Sequence, residues 1–305
     1  MNSIVDRLSV FVDSLSNRYR AGAFYLSGVR ILFALHVLLF PIDWTWMARV
    51  PAAFFHPRPG FFQFVHEPPT MNVVLVLSVL RALFALVILV GFQTFSASIA
   101  LSAVLISGAG LSYSYGKLDH FILYESFPIF MAFAGWGAAL SLDSRRHPVR
   151  TAHGFPMLLW AVTVAFALFT AALPKALGGW LNPAREASRG YIARDLADGQ
   201  KVGALAPILM DVHSDVFWKS FDYATLFAEG WLVFAVFVPT FFRLGLALIV
   251  AFHIGVYLSL GIDFFAYLFL YLPFFAPVVD AVHRWLVRAR VRRRVVAGEA
   301  HWRTG

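Results

Sequence analysis

The fold is decided by "MNVVLVLSVLRALFALVILVGFQTFSASIALSAVLISGAGLSY", residues 71–113, in which two long apolar runs flank a short join. The hydrocarbon core of a bilayer needs about 20 apolar residues per helix. Each run, 71–91 and 94–112, therefore predicts a membrane-spanning helix. The join "GFQT" is too short for anything but a tight helical hairpin.

The composition of the whole chain agrees with this interpretation. It has 305 residues, of which 60% are hydrophobic and 14% are charged, whereas a soluble domain carries roughly 25% charged residues. The chain has no cysteine, which excludes disulfides, thiolate metal sites and cysteine nucleophiles. It also lacks the glycine-rich dinucleotide motif, the Walker motif and the H-E-x-x-H motif. A polytopic membrane protein is the class that remains.

The predicted fold class is all-α, with eight transmembrane helices. Residues 1–22 predict an amphipathic helix lying at the interface, residues 23–286 the transmembrane bundle, and residues 287–305 a basic cytoplasmic tail. Long outer loops are expected at 43–70, which is rich in proline and aromatic residues, and at 175–222, which is polar and partly helical. The eight predicted spans are 23–42, 71–91, 94–112, 118–140, 154–174, 223–240, 241–261 and 263–286.

The distribution of arginine orients the bundle. Cytoplasmic loops carry an excess of lysine and arginine, and the most basic short segments are the two ends of the chain and the join around Arg145 and Arg146. We therefore expect both termini in the cytoplasm and the protein in the plasma membrane, the inner membrane of a bacterium. The net charge of +8 then faces anionic lipid headgroups, so membrane lipids rather than nucleic acid are the expected partners.

Ionisable groups inside spans are costly and mark functional sites by default. Counted along the predicted helices, most of them lie in the outer half of the membrane, although they come from different spans. This distribution predicts a polar cavity that opens to the outer face. The groups concerned are His36, Asp119, His120, Glu125, Lys175, Glu229 and His253, with Trp180 at the outer interface.

Two arginines, Arg30 and Arg81, lie at or below mid-depth. We expect one of them to neutralise Glu229, because an unpaired carboxylate in hydrocarbon is very costly. The other role open to them is to hold an anionic headgroup or substrate.

Each polar residue also has a structural interpretation. Lys117, Asp119 and Lys175 could anchor their helices to the lipid headgroups. His36 and His253 could be hydrogen-bonded packing residues between helices. No pair of histidines has metal-ligand spacing within a span, so no metal site is predicted.

Four stretches carry a resemblance to a known family. They are "RILFALHVLLF" (30–40), "KLDHFILYESFPIFMAFAGWGAALSLD" (117–143), "FTAALPKALGGWL" (169–181) and "FRLGLALIVAFHIGVYLSLGIDFFAYLFLYLPFF" (242–275). In this order and spacing they resemble the horizontally transferred transmembrane (HTTM) domain family, which includes the vitamin K-dependent gamma-carboxylases. The resemblance covers roughly residues 23–275.

The resemblance implies a membrane-embedded enzyme whose polar cavity faces the lumen or periplasm. In the carboxylases a lysine deprotonates a reduced naphthoquinone, and oxygenation of the quinol generates the strong base. His120 matches the histidine that follows this lysine. The family's spacing puts the lysine at Ser114, however, and Lys117 is three residues too close. The large lumenal domain of the animal enzymes is also missing, so quinol-linked or proton-transfer chemistry is expected rather than peptide carboxylation.

The leading functional hypothesis is therefore an enzyme that acts on a reduced quinone or another lipidic molecule. Lys117 and His120 would form its acid–base pair, on one helical face with Tyr124. Glu125 is the third catalytic candidate and is offset from that face, toward Lys175 or His253. The residues expected to line the cavity are His36, Arg81, Lys175, Trp180, Glu229 and His253.

Two other hypotheses remain open. His36 and His253, at similar depth on different spans, are candidate axial ligands of a haem in an electron-transfer bundle. Alternatively, the protein is a non-enzymatic accessory factor for the export or maturation of a peptide.

Overall fold

The described part of the chain folds as helices, joined by short turns and by two long connections. The computed structural model describes residues 2–57, 61–116, 121–146, 153–199 and 202–279, and within them no β-strand occurs. The α-helices are α1 (Asn2–Tyr19), α2 (Ala23–Leu39), α3 (Met71–Val90), α4 (Thr94–Tyr113), α5 (Ile122–Ala134), α6 (Leu142–Arg146), α7 (Gly154–Lys175), α8 (Ala187–Ala197), α9 (Ala206–Met210), α10 (Asp215–Gly230), α11 (Leu232–Ala235), α12 (Pro239–Leu260) and α13 (Phe265–Tyr271).

The all-α prediction is confirmed over these residues, but fewer helices than predicted are long enough to cross a bilayer. Four described helices are sufficiently long and apolar: α3, α4, α7 with its continuation to Trp180, and α12. A fifth is obtained if α1 and α2, which are bent by 66° relative to each other, count as one span. The count of eight spans stays a prediction.

The remaining predicted spans correspond to shorter or interrupted helices. In predicted span 118–140, α5 ends at Gly135, where φ is 85°, a conformation that terminates helices. In span 263–286, α13 tightens into a 3₁₀ turn at Leu272–Phe275. In span 223–240, α10 ends at Gly230 and the short α11 follows before Pro239 starts α12.

The hairpin predicted from the opening stretch is confirmed. Gly91 ends α3 with φ of 72°, and a side chain there would collide with the guanidinium of Arg30 and with Ser141. Only glycine satisfies both the left-handed backbone and the close approach. The join at 91–94 therefore depends on a position where no other residue fits.

The outer surface of α3 supports a membrane location. Large apolar side chains stay exposed along it, among them Val76 (57% exposed) and Val79 (66%). Soluble monomers seldom expose a continuous apolar surface of this kind. Hydrocarbon is the environment in which such a surface is stable.

Segments that were predicted to be cytoplasmic meet at one end of the bundle. The Asp143 carboxylate accepts hydrogen bonds from the backbone N–H groups of Gln93 (2.8 Å) and Thr94 (2.7 Å), which ties α6 to the start of α4. Arg243 of α12 donates to the carbonyl oxygen of Arg18 at 3.1 Å. Two pairs of segments that are far apart in sequence are thus joined by hydrogen bonds at this end.

Segments that were predicted to be external meet at the opposite end. The N–H of His56 donates to the Ser114 carbonyl oxygen (2.6 Å), and the Tyr115 hydroxyl donates to the Met47 carbonyl oxygen (2.7 Å). Where it is described, the loop at 43–70 contains short 3₁₀ turns and no α-helix. The loop at 175–222 is partly helical, with α8, α9 and the first turns of α10.

This two-ended arrangement predicts a labelling pattern, because the native chain has no cysteine. Asp198 and Arg145 are both exposed and lie at opposite ends of the bundle. With the arginine-rich end in the cytoplasm, an impermeant maleimide should label Asp198→Cys in intact spheroplasts and leave Arg145→Cys unlabelled. Permeabilised cells, in which both should react, provide the control. Labelling of Arg145→Cys in intact spheroplasts would invert the orientation.

Candidate functional site

A cavity of about 450 Å³ lies near the end of α7 that carries Lys175. Its walls come from α7, α10, α12 and the segment leading into α13, and α8 of the long loop covers it. The apolar lining includes Leu168, Phe221, Phe252, Val256 and Phe264; the polar or charged side chains are Thr170, Lys175, Trp180, Ser188, Tyr191, Thr225, Glu229, His253, Ser259 and Tyr267. The structure thus brings Lys175, Trp180, Glu229 and His253 together around one space.

The central polar contact of this cavity is an ion pair. The Lys175 ammonium lies 2.5 Å from one carboxylate oxygen of Glu229 and 2.6 Å from the other. The side chain of Glu229 is 7% exposed and that of Lys175 is 29% exposed. The ammonium also lies 5.6 Å from the centre of the Trp180 ring.

The prediction that Arg30 or Arg81 neutralises Glu229 is wrong. Helices α7 and α10 pack side by side, so the last residue of α7 meets Glu229 directly. Arg30 instead donates to the carbonyl oxygens of Ile88 (3.0 Å) and Leu140 (2.5 Å). Both arginines donate to backbone carbonyl oxygens, at the last turn of α3 and in the segments that join helices.

Arg81 does not contribute to the cavity wall described above. Its guanidinium donates to the Ile42 carbonyl oxygen (2.5 Å) and lies 4.9 Å from the centre of the Trp44 ring. It thereby fixes the chain that leaves α2 against the middle of α3. The prediction that Arg81 lines the cavity is therefore not supported, because its donors face this backbone instead.

The two histidines are packed among aromatic rings. His36 stacks on Phe269 with 4.5 Å between ring centres, and His253 stacks on Phe264 at 4.4 Å. His253 lines the cavity, whereas His36 is half-buried on α2. A series of ring contacts through Tyr124, Phe121 and Tyr267 connects the two imidazoles. This packing favours the structural interpretation of His36 over a haem shared by both histidines.

Of the predicted catalytic cluster, Glu125 is described. It is buried and accepts a hydrogen bond from the Tyr113 hydroxyl at 3.0 Å, where Lys175 or His253 had been expected as its partner. Lys175 instead forms an ion pair with Glu229. Lys117, Asp119 and His120 lie outside the described residues, and their predicted roles stay predictions.

One residue that was not predicted from the sequence attaches α8, which lines the cavity, to α10. Asp222 of α10 is fully buried and accepts hydrogen bonds from the backbone N–H groups of Ala187 (3.1 Å) and Ser188 (2.8 Å) at the start of α8. The Ser188 hydroxyl (2.6 Å) and the Lys219 ammonium (2.9 Å) also donate to it. Asp222 caps the N-terminus of α8 although it lies 34 residues from Ser188 in the sequence. No local sequence pattern indicates a cap over such a distance. The spacing of Lys219 and Asp222 indicates only their own ion pair.

A second buried group also escaped the sequence analysis. The Tyr271 hydroxyl of α13 is buried and has no hydrogen-bond partner among the described residues. It lies within electrostatic reach of Glu229. In the sequence, Tyr271 is one of several aromatic residues at helical spacing, and this pattern does not indicate whether its hydroxyl has a hydrogen-bond partner.

The chain matches no known protein family, no curated protein and no solved structure. Within the described residues, no cluster of histidine, aspartate and glutamate side chains has the geometry of a metal site. A function therefore has to be inferred from the geometry of the cavity.

The Lys175–Glu229 pair should be detectable as an energetic coupling. Removing one partner leaves an uncompensated charge, so Lys175→Leu and Glu229→Leu should each lower the free energy of unfolding in mild detergent by about 2 kcal/mol. This is less than the roughly 3–5 kcal/mol of a fully buried pair, because Lys175 is partly exposed. The double variant should lose less than the sum. Additive losses would contradict the pairing, and Arg81→Leu combined with Glu229→Leu, which should be additive, is the matched control.

Because Asp222 caps α8, replacing its carboxylate should loosen this helix. Asp222→Asn should weaken the attachment of α8 by about 1–3 kcal/mol, because buried donors lose their charged acceptor. Hydrogen–deuterium exchange at neutral pH should therefore become faster in Ala187–Ala197. Asp215→Asn, which changes an exposed acid in the first turn of α10, should leave that exchange unchanged. Unchanged exchange in Asp222→Asn would refute the cap.

Proposed function

We propose that this protein is an integral membrane enzyme that acts by acid–base chemistry on a quinone or another lipidic molecule bound in the α7–α10–α12 cavity. The observation that carries the proposal is the single ion pair, Lys175–Glu229, on the wall of an otherwise largely apolar space. The resemblance to the gamma-carboxylase-like membrane family motivates the quinone class.

The size and chemistry of the cavity support an amphiphilic ligand. Small-molecule sites typically occupy 300–1,000 Å³ and combine an apolar lining with a few placed polar groups. At about 450 Å³, this cavity falls in that range. Its apolar residues suit a ring or a short chain, and Lys175, Glu229 and His253 give the polar head a defined position.

The same three side chains supply what proton transfer needs. A hydroxyl that enters beside the pair meets a carboxylate able to accept its proton and an ammonium able to stabilise the resulting oxyanion. The imidazole of His253 also lines the cavity and offers ring nitrogens as further hydrogen-bonding groups. Lys117 and His120, which precede α5 in the sequence, remain the proposed acid–base pair, with Glu125 as the third catalytic candidate.

The arrangement of the two ends supports an outward-facing site. The end that carries Arg18, Arg145, Arg146 and Arg243 is opposite to the end at which α7 reaches Lys175. With arginine on the cytoplasmic side, the cavity faces outward and both termini are cytoplasmic. The proposal retains eight membrane crossings, with the shorter helices α5, α10 and α13 completing the predicted spans, and location in the plasma membrane.

A cavity-filling substitution tests the proposal. Val256 faces the cavity and Ile254 of the same helix is 45% exposed on the outer surface. A short-chain naphthoquinone should quench the tryptophan fluorescence of the purified protein saturably, and Val256→Phe should weaken this binding about tenfold or more. Ile254→Phe should bind like the native protein.

The outcomes separate the alternatives. Equal binding by Val256→Phe and Ile254→Phe would place the quinone elsewhere and refute the proposed site. Saturable binding without any consumption of the reduced quinone would favour the accessory role. A Soret band in the purified protein would instead support the haem bundle.

A further inference from the structure

The cavity wall carries two side chains of opposite formal charge in direct contact. Among the described residues that line it, these are Lys175 and Glu229, and His253 is the remaining basic side chain. Both carboxylate oxygens of Glu229 contact the same ammonium. The pair therefore presents hydrogen-bonding groups without a net charge.

An anionic head group gains little from such a pair. It would have to approach the one remaining N–H of the Lys175 ammonium, and it would then lie close to the Glu229 carboxylate. In an apolar cavity the repulsion from this carboxylate offsets the attraction of the ammonium. The cost of removing the anion from water is then left without compensation.

Two cations of the long loop, close to residues that line the cavity, are paired in the same way. Lys219, which donates to the Trp180 carbonyl oxygen (3.0 Å), is paired with Asp222 at 2.9 Å. Arg189, next to Ser188, is paired with Glu186 at 2.8 Å. An approaching anion thus meets compensated cations at both positions.

An uncharged hydroxyl suits the pair well. A hydroxyl is both donor and acceptor, so it can accept from Lys175 and donate to Glu229 without adding a charge. We propose that the Lys175–Glu229 pair selects amphiphiles with an uncharged hydroxylated head, and that Glu229 is the residue that excludes anionic ones. This inference depends on the proposed ligand cavity and adds its specificity.

Two brominated probes with the same chain test the selectivity, since bromine quenches tryptophan fluorescence. At pH 8 the native protein should bind ω-bromoundecanol about tenfold more tightly than ω-bromoundecanoate. Glu229→Gln leaves the Lys175 ammonium without its carboxylate, so this variant should bind the carboxylate probe about tenfold more tightly than the native protein does. Its affinity for the alcohol should change much less.

The matched control is Glu186→Gln, which frees the cation of Arg189 outside the cavity lining. It should leave both affinities unchanged, because a freed cation matters only where the ligand head lies. If it gains carboxylate binding to the same extent as Glu229→Gln, the effect is one of general surface charge and the inference is overturned.

If Glu229→Gln does not fold, a second variant tests the same inference. Lys175→Met uncovers the Glu229 carboxylate, so it should gain about tenfold in affinity for ω-bromoundecylammonium relative to the native protein. Equal binding of the alcohol and carboxylate probes by the native protein, or no change of preference in the folded variants, would overturn the inference.

The Val256→Phe variant shows whether a negative result concerns the selectivity of the ion pair or the proposed cavity as a whole. If the variant loses alcohol binding while the charge variants show no change in preference, the cavity binds amphiphiles but the pair does not select them. If Val256→Phe leaves the binding of every probe unchanged, the cavity is not the ligand site, and both proposals fail.

Discussion

A polar group inside hydrocarbon must find its partner within the protein, because lipid offers neither a hydrogen bond nor a counter-charge. The placement of buried polar side chains in this chain follows from that constraint. Arg30 and Arg81 bind carbonyl oxygens at breaks between helices, and Glu229 binds Lys175. The two arginines join neighbouring parts of the backbone, whereas the ion pair lies on a cavity wall, where a ligand can compete with it.

The long polar loop contributes more than a connection between spans. Asp222 binds the first amides of α8 and holds that helix over the cavity, and Trp218 packs with Ile192 and Ala206 in a small core of its own. Burial acts to raise the pKa of Asp222, but the donors from Lys219, Ser188 and Ala187 outweigh it and hold the pKa below its ordinary value. The stability contributed by this carboxylate is therefore complete at neutral pH. It is lost only as the pH falls below about 3.9, through the lower pKa of the folded state.

Aromatic packing gives the bundle its rigid centre. Phe33 of α2 contacts Tyr124, Phe127 and Trp136 with ring centres 5.0–6.0 Å apart, and the Trp160 indole donates to the Leu270 carbonyl oxygen at 3.0 Å. This core lies between the arginine-rich end and the cavity. It fixes α5 and α7 relative to α2, so the cavity is assembled on elements that are already held in place.

The helical class and the hairpin at 71–113 could be predicted from the sequence, because hydrophobic length and glycine positions are local properties. Depth counted along each helix suggested a shared cavity for six residues; of these, Lys175, Trp180, Glu229 and His253 line one space, whereas His36 and Arg81 do not. Three contacts follow from the folded chain alone: Lys175 pairs with Glu229 where an arginine was expected, Arg81 binds the Ile42 carbonyl oxygen, and Asp222 caps α8. Depth along a helix leaves its rotation and its neighbours undetermined, and these depend on packing between segments far apart in the chain.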